Sequence, residues 1–596
     1  MTFEIGLTLA IILGALIVFG TEKLRVDVVA LLVLITVGLT GLVGPKEVFA
    51  GFSNSAVITV WAVYIVSGGL FKTGVADILG KIILRLSGNN EIRLITVIML
   101  TCGLMSAFMN NVGATAMLLP AVISVAKETK IPVSKLLIPL SFSSLLGGKI
   151  TLIGTPANIL ATSIVAESGL PTFNFFDFTP IGLVVLATGI LYMVFIGRHL
   201  LPVRQPPGDS QVKVELRKYV SELRVLETGK LAGATLLESK MGEKYDLTVI
   251  AIVRGNTSIT KLERDTLISS NDILLIEGST ENISRARNEL GMENANENKR
   301  HAELDKLSET EMGFIEATLA PRSAIANRSL SSLNFREHYG FSVLAIRRQG
   351  EMITKSLASE KLQFGDDLIL QGPRRLIPSL EEKNDFLVLE QPDIPEDRRQ
   401  KMPIAIGIMI VVIGMVLFAG VDISLAMVMG AVGMVISKCL SMDEAYASID
   451  WRTVFLVAGM LPLGAAMETT GTARYIADLM LDTIGGMGPI AALAGIYILA
   501  ALITQPMSNA AAMVLVVPIA LDTALSLGAN HLTFTLAVVI GAATSFLTPV
   551  GHKANVLVFG PGGYKFFDYA RVGALLTVFL FIATMITLPI FYPLFP

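Results

Sequence analysis

The chain has 596 residues, of which 52% are hydrophobic and only 16% charged, with a formal net charge of -3 and a mean hydropathy of +0.64, the balance of an integral membrane protein. Charges crowd into roughly residues 204–401 and thin out elsewhere, so one polar unit is inserted between two membrane halves. No Lys/Arg block marks a nucleic-acid footprint, and no nucleophile-base pair or metal cluster marks an enzyme.

Residues 5–20 are apolar but lack a positive segment before them and a small-x-small site after them, which predicts a retained first helix rather than a signal peptide. Further apolar runs cover about 26–44, 56–71, 92–108, 112–126, 136–165 and 179–200. The two runs flanking Asn110 and Asn111 place a polar break between them, the pattern of a re-entrant hairpin. Irregular backbone at membrane depth is tolerable only inside protein or beside a wet cavity. The run 136–165 is interrupted by Gly147-Gly148-Lys149 and then by GTPAN, which predicts one crossing broken in two.

Five crossings and one hairpin per half agree with the charges. With the first residue outside, the cytoplasmic segments hold Lys23, Arg25, Lys72, Lys81, Arg85, Arg93, Lys127, Lys130, Lys135, Arg198 and Arg204, against Lys46, Glu47, Glu167 and Asp177 outside. That is a positive-inside pattern. Because five is odd, the second half enters inverted. Its cytoplasmic side then receives Arg398, Arg399, Lys401, Lys438, Arg452, Lys565 and Arg571.

The second half restates the first. MNNVGATAMLLP (109–120) matches MSNAAAMVLVVP (507–518), about 398 positions on, LIGTPAN (152–158) matches PVGHKAN (549–555), and Thr73-Gly74 matches Thr470-Gly471. Paired Gly/Pro breaks in two membrane halves point to a transporter with its site at the repeat interface. The expected architecture is an α-helical polytopic protein of two inverted repeats, 1–203 and 402–596. Between them the polar segment is itself duplicated, LETGKLAGATLLES…ISSNDILLIEGS against APRSAIANRSLSSL…LQFGDDLILQGP. Its period-2 strands and short helices predict two cytoplasmic α/β modules, 211–291 and 311–391, joined by a connector at 292–310.

Candidate site residues lie at the breaks. Half-helix ends at a hairpin tip offer free N–H groups and a dipole to an anion, and the carboxamides of Asn111 and Asn509 can both donate and accept. Asn110 and Ser508, which precede them, are expected to contact the substrate with them. Gly154, Thr155 and Asn158 in the first loop, and Gly551 and Asn555 in the second, expose carbonyls and short polar groups suited to sodium. Lys553 stands where the first loop has Pro156. A cation at that depth needs a partner or a route to the interface, so it is expected to contact the anion, replace the charge of one sodium, or reach the cytoplasmic side. For the tip Asn residues the alternative role is to cap broken helices. Cys102 and Cys439 fall in apolar runs without metal-ligand spacing and read as packing residues.

Through the twin Asn tips, the GTPAN and GHKAN loops, GPGGYKFFDY (560–569) and the GDDLILQGP ending of the second module, the chain resembles the divalent anion/sodium symporter family, in the branch carrying two TrkA-C (RCK C-terminal) modules. The resemblance implies a homodimer, elevator-like alternating access, sodium as coupling ion, residence in a bacterial-type inner membrane, and modules that bind a small effector or join protomers. Carboxylate transporters of that family carry Ser-Asn-Thr tips, whereas this chain has Asn110-Asn111-Val112 and Ser508-Asn509-Ala510. The missing hydroxyl favours a sulfate-like oxyanion over a dicarboxylate. An aspartate/alanine-type exchanger remains as an alternative. An RCK-gated cation channel lacks its TVGYG-like filter here, and no GxGxxG opens a helix to hold NAD. The topology is checked by Phe3→Cys and Leu594→Cys variants, both of which should label from outside in intact cells; labelling of either only after permeabilisation contradicts five crossings per half.

Overall fold

The computed structural model describes residues 2–595 apart from 22–23, 76–87, 89, 205–219, 246, 255–256, 260–264, 278–279, 295–311, 320–322, 324, 349–350, 354–356, 364, 374–375, 377–379, 381–384, 389–395, 485–487 and 506. Lys23, Lys81, Arg85, the expected module bounds at 211, 311 and 391, and most of the expected connector lie outside the described residues.

The first half runs α1 (Phe3–Thr21), α2 (Val26–Thr40), α3 (Pro45–Ala50), α4 (Ser55–Lys72), α5 (Glu91–Ser106), α6 (Asn111–Thr129), α7 (Leu137–Gly147), α8 (Pro156–Glu167) and α9 (Thr179–Tyr192). The second repeats that order as α10 (Met402–Phe418), α11 (Ile423–Ile436), α12 (Met442–Ser448), α13 (Trp451–Thr469), then α14 (Thr472–Ile484), α15 (Pro489–Ile503), α16 (Asn509–Ser526), α17 (His531–Ala542), α18 (Lys553–Phe559) and α19 (Phe566–Phe591). Equivalent ends are built alike. Thr73 and Thr470 close α4 and α13 by donating their hydroxyls to the carbonyls of Gly69 and Ala466, at 2.9 and 2.7 Å. Gly74 and Gly471 then take left-handed φ of 84° and 73°, a conformation that costs glycine little.

By length and apolarity, five described helices or helix runs qualify individually as membrane spans, and six if the bent pair α12–α13 is one span. Seven further apolar helices among the described residues are shorter, and two of them end at a broken crossing. α7 has 11 residues and α8 has 12, each about 17 Å long at roughly 1.5 Å per residue. Only together do they match a hydrocarbon layer of roughly 30 Å. The outgoing hairpin arms differ from a minimal re-entrant hairpin, since α6 and α16 run 19 and 18 residues. Pro120 and Pro518 lie within these arms.

The two halves are interleaved rather than side by side. α2 packs on α13 and α11 on α4; α8 lies against α16, and α18 against α6 and α7. Phe142 of α7 meets Phe546 at 4.8 Å and Tyr569 of α19 at 6.0 Å between ring centroids. Tyr564 donates to the Ser134 carbonyl at 2.6 Å and accepts from the Ile138 N–H at 3.1 Å. One continuous apolar cluster therefore runs from Ala15 to Leu588.

The polar segment folds as two antiparallel five-stranded sheets of matching order, β3-β2-β4-β1-β5 and β10-β6-β9-β7-β8. The strands are β1 (Val220–Val225), β2 (Thr248–Arg254), β3 (Thr257–Ile259), β4 (Ile273–Glu277), β5 (Met292–Asn294), β6 (Met312–Leu319), β7 (Ser342–Arg348), β8 (Glu351–Ile353), β9 (Asp367–Pro373) and β10 (Phe386–Val388). Each sheet carries a bulge at the same place, Val249/Ala251 and Val343/Ala345, and pins its last long strand with a two-pronged ion pair, Arg254 to Asp272 and Arg348 to Asp366. The second module adds a buried pair, Arg347 with Asp367 at 3.0 Å. It meets the membrane half where a Cβ on Gly365 would lie 2.5 Å from the Phe559 ring and one on Gly560 would lie 2.2 Å from Asp367 Oδ1.

Where α7 ends, Gly147 lets its backbone touch α5, because a Cβ there would lie 2.0 Å from the Gly103 carbonyl oxygen. Gly147→Ala should destabilise the fold by about 1–3 kcal/mol through overpacking, seen as a lower melting temperature of the detergent-solubilised chain. Gly14→Ala, with nothing within 4 Å of the added carbon, should leave it unchanged.

Candidate functional site

Each tip begins with a capped helix. Asn110 precedes α6 and its Oδ1 accepts from the Val112 N–H at 3.1 Å; Ser508 precedes α16 and its Oγ accepts from Ala511 N–H at 3.3 Å. Capping is thus performed by the residue before each predicted tip Asn. That leaves the carboxamides of Asn111 and Asn509 for other contacts.

Their oxygens are tied to the preceding arm in the same way. Ser106 donates to Asn111 Oδ1 at 2.8 Å, and Thr504 donates to Asn509 Oδ1 at 2.9 Å, each from five residues upstream. Asn509 Oδ1 also accepts from Ser545 at 3.2 Å. Among the described residues neither Nδ2 has a hydrogen-bond partner. Each tip therefore presents a side-chain donor whose acceptor end is already fixed.

The broken crossings are stitched by a second pair of carboxamides. Asn158 Nδ2 donates to the carbonyls of Gly148 and Thr151 at 2.9 and 2.8 Å, ten and seven residues back. Asn555 Nδ2 does the same to Ser545 and Thr548 at 2.8 and 3.3 Å, with identical spacing. The Thr151 carbonyl also accepts from the Gly154 N–H at 3.3 Å, and in a membrane a carbonyl left unpaired at such a break would cost several kcal/mol. Thr155 and His552 stand in extended conformations just before α8 and α18; the Thr155 hydroxyl donates to Asn158 Oδ1 at 3.3 Å, whereas His552 caps α18, its Nδ1 accepting from the Ala554 N–H at 3.1 Å. Gly551 donates its N–H to Thr548 Oγ1 at 3.0 Å.

Tip and break meet in each half. A Cβ on Gly148 would lie 2.5 Å from Asn111 Oδ1 and 2.6 Å from Thr155 Cγ2, so Asn111, Thr155 and Asn158 surround one loop, with Gly154 packed onto the Gly148 carbonyl. In the second half Ser545 joins the two, touching Asn509 through its hydroxyl and Asn555 through its carbonyl. The halves are joined where Ser141 of α7 donates to Asn555 Oδ1; within the second half Tyr569 donates to the Asn555 carbonyl at 2.7 Å. A cavity of about 10 Å³, room for roughly one water-sized species, is lined by Asn110, Gly154 and Pro156 together with Val60, Val63 and Tyr64 of α4.

Carbonyls bonded once retain a second lone pair, so the loop oxygens and the Thr155 hydroxyl suit a hard cation such as sodium. No group of three His, Cys, Asp or Glu able to hold a metal occurs among the described residues. Lys553 is placed elsewhere than the tips: its Nζ pairs with Asp450 at 2.5 Å, at the start of α13, with half of its side chain exposed. The partner that its depth demands is a carboxylate of the chain.

Sequence reading missed Ser106 and Thr504, although both stand five residues before a tip Asn. It also missed Thr151, Thr548 and Ser545, whose backbone carbonyls or hydroxyls carry the stitching. Extending the repeat alignment by a few residues on either side of each motif would have exposed the first pair.

The family model described as CitMHS, citrate transporter, matches residues 16–539. The uncharacterized transporter sll0640 of Synechocystis is 38% identical over 100% of this chain and 98% of its own length. The uncharacterized transporter YfbS of Escherichia coli is 31% identical over 100% of both. Sodium/sulfate cotransporter 1 of Chlamydomonas reinhardtii is 22% identical over 89% of this chain and 83% of that protein. Duplicated membrane halves, paired tips and broken crossings thus stand in a chain matched over most of its length by transporters, and the chain belongs to the CitMHS citrate transporter family.

Proposed function

We propose that this transporter carries a small divalent anion by sodium-coupled symport, with a sulfate-like oxyanion as preferred cargo. The observation that carries the reading is the pair of tip carboxamides, each with its oxygen anchored and its Nδ2 unengaged. Donors without acceptors recognise an oxyanion; a cation would need the opposite. The absence of a third tip hydroxyl at Val112 and Ala510 and the sodium/sulfate cotransporters among the distant relatives support sulfate over a dicarboxylate. The citrate transporter family match supports a carboxylate as the second reading.

Sodium is assigned to the loop of Gly154, Thr155 and Asn158 facing Asn111, and to the corresponding loop of Gly551 and Asn555 facing Asn509. Alternating access takes the elevator form, with the inverted repeats in a homodimer and the tips and breaks moving against the interleaved α2, α4, α11 and α13. The modules face the cytoplasm of an inner membrane as TrkA-C domains and tune the rate. Support for that division is the contact of the second module with Phe559 and Gly560, at the end of α18.

The test is uptake into proteoliposomes of sulfate, thiosulfate, succinate, citrate and aspartate, with sodium and proton gradients imposed separately. Sulfate uptake driven by sodium is expected; aspartate exchange without an ion gradient would assign the exchanger function instead. Asn111→Ala and Asn509→Ala should each weaken anion binding by about 1–3 kcal/mol, roughly tenfold to a hundredfold, with folded protein at normal abundance. Wild-type affinity in both variants removes these residues from the site.

A further inference from the structure

Lys149 follows Gly148 directly after α7, is 3% exposed, and has no hydrogen-bond partner for its Nζ among the described residues. A buried ammonium without an acceptor is strongly unfavourable. Two other lysines of the membrane halves have partners: Lys553 pairs with Asp450, and Lys135 donates to the Arg198 carbonyl.

The backbone of Lys149 is fixed inside the first half-site. The residue before it touches the Asn111 carboxamide and Thr155, and Asn158 bonds the carbonyls of Gly148 and Thr151 on either side. Its own carbonyl lies 2.5 Å from where a Cβ on Gly182 would stand, closing it against α9. His552, which caps α18 in the other half, lies within electrostatic reach of both Lys149 and Lys553. The matching position of the second repeat is Phe546, an aromatic packed on Phe142. One repeat thus carries a charge where the other carries a ring.

Two roles compete for a fixed cation here. A lysine standing in for a sodium ion would sit among the oxygens that the ion would use. Among the described residues Lys149 Nζ has no hydrogen-bond acceptor, which leaves its donors open to a ligand. We infer that Lys149 is the charge partner of the transported anion, donating to the same oxyanion that the amides of Asn111 and Asn509 hold. The inference rests on the anion-transport reading above and adds to it a fixed positive charge that sets a preference for dianions over monoanions.

Proteoliposome uptake of sulfate, thiosulfate, succinate and citrate by the full chain and by Lys149→Gln and Lys149→Arg tests it, alongside melting curves of Lys149→Met in detergent. For whichever of these the wild type carries, Lys149→Gln should raise the half-saturating concentration roughly tenfold to a hundredfold at unchanged sodium dependence, and Lys149→Arg should recover part of the loss. Lys149→Met should melt no lower than wild type, since it removes an unpaired charge, and should lose the anion-induced rise in melting temperature. Wild-type half-saturation in Lys149→Gln, an altered sodium dependence at unchanged anion affinity, or an unfolded Lys149→Met each overturns the inference and leaves anion transport standing. If the wild type takes up none of the four anions, the transport reading fails and this inference falls with it.

Discussion

A helix broken at membrane depth leaves carbonyls that water cannot reach, and their satisfaction is the constraint on which this structure depends. Asn158 and Asn555 meet it with one NH₂ group each, spanning two carbonyls ten and seven residues upstream. Because the stitch is a side chain, the loop keeps its oxygens turned inward while the helix stays interrupted. The breaks are therefore stable features around which ligands can be bound, and the same two residues fix the distance between each loop and its hairpin tip.

Interleaving turns two half-sites into one region. α8 of the first half rests on the outgoing arm of the second hairpin, and α18 of the second rests on the first. Ser141 reaches Asn555 across that boundary. Each broken crossing thus lies in direct contact with the hairpin arm of the opposite half. The second module adds a contact from the polar segment at Phe559 and Gly560, at the end of α18. That position lets a domain outside the membrane bear on a helix whose cap is His552.

Much of this was legible in the residues because the chain states it twice. The repeated Asn, Pro and Gly positions gave the hairpins, the breaks and the order of helices, and the duplicated DILLIEG-type strands gave the paired sheets, down to matching bulges. What escaped the sequence was which atom does what. Capping fell to Asn110 and Ser508, which freed the next residues, and no pattern separates those roles without hydrogen-bond geometry. Lys553 and Lys149 show the same limit. Both occupy a break, yet one finds Asp450, more than a hundred residues away in sequence, and the other finds no partner among the described residues. Pairing of that kind depends on tertiary placement, which periodicity does not encode.

The central claim is that both tips present amide donors to a single oxyanion. Anomalous diffraction from crystals of the full chain soaked in selenate, an isosteric analogue of sulfate, addresses it directly. The account predicts a selenium peak within hydrogen-bond reach of Nδ2 of both Asn111 and Asn509. A peak contacting one repeat alone, or residing only on the modules, would contradict it.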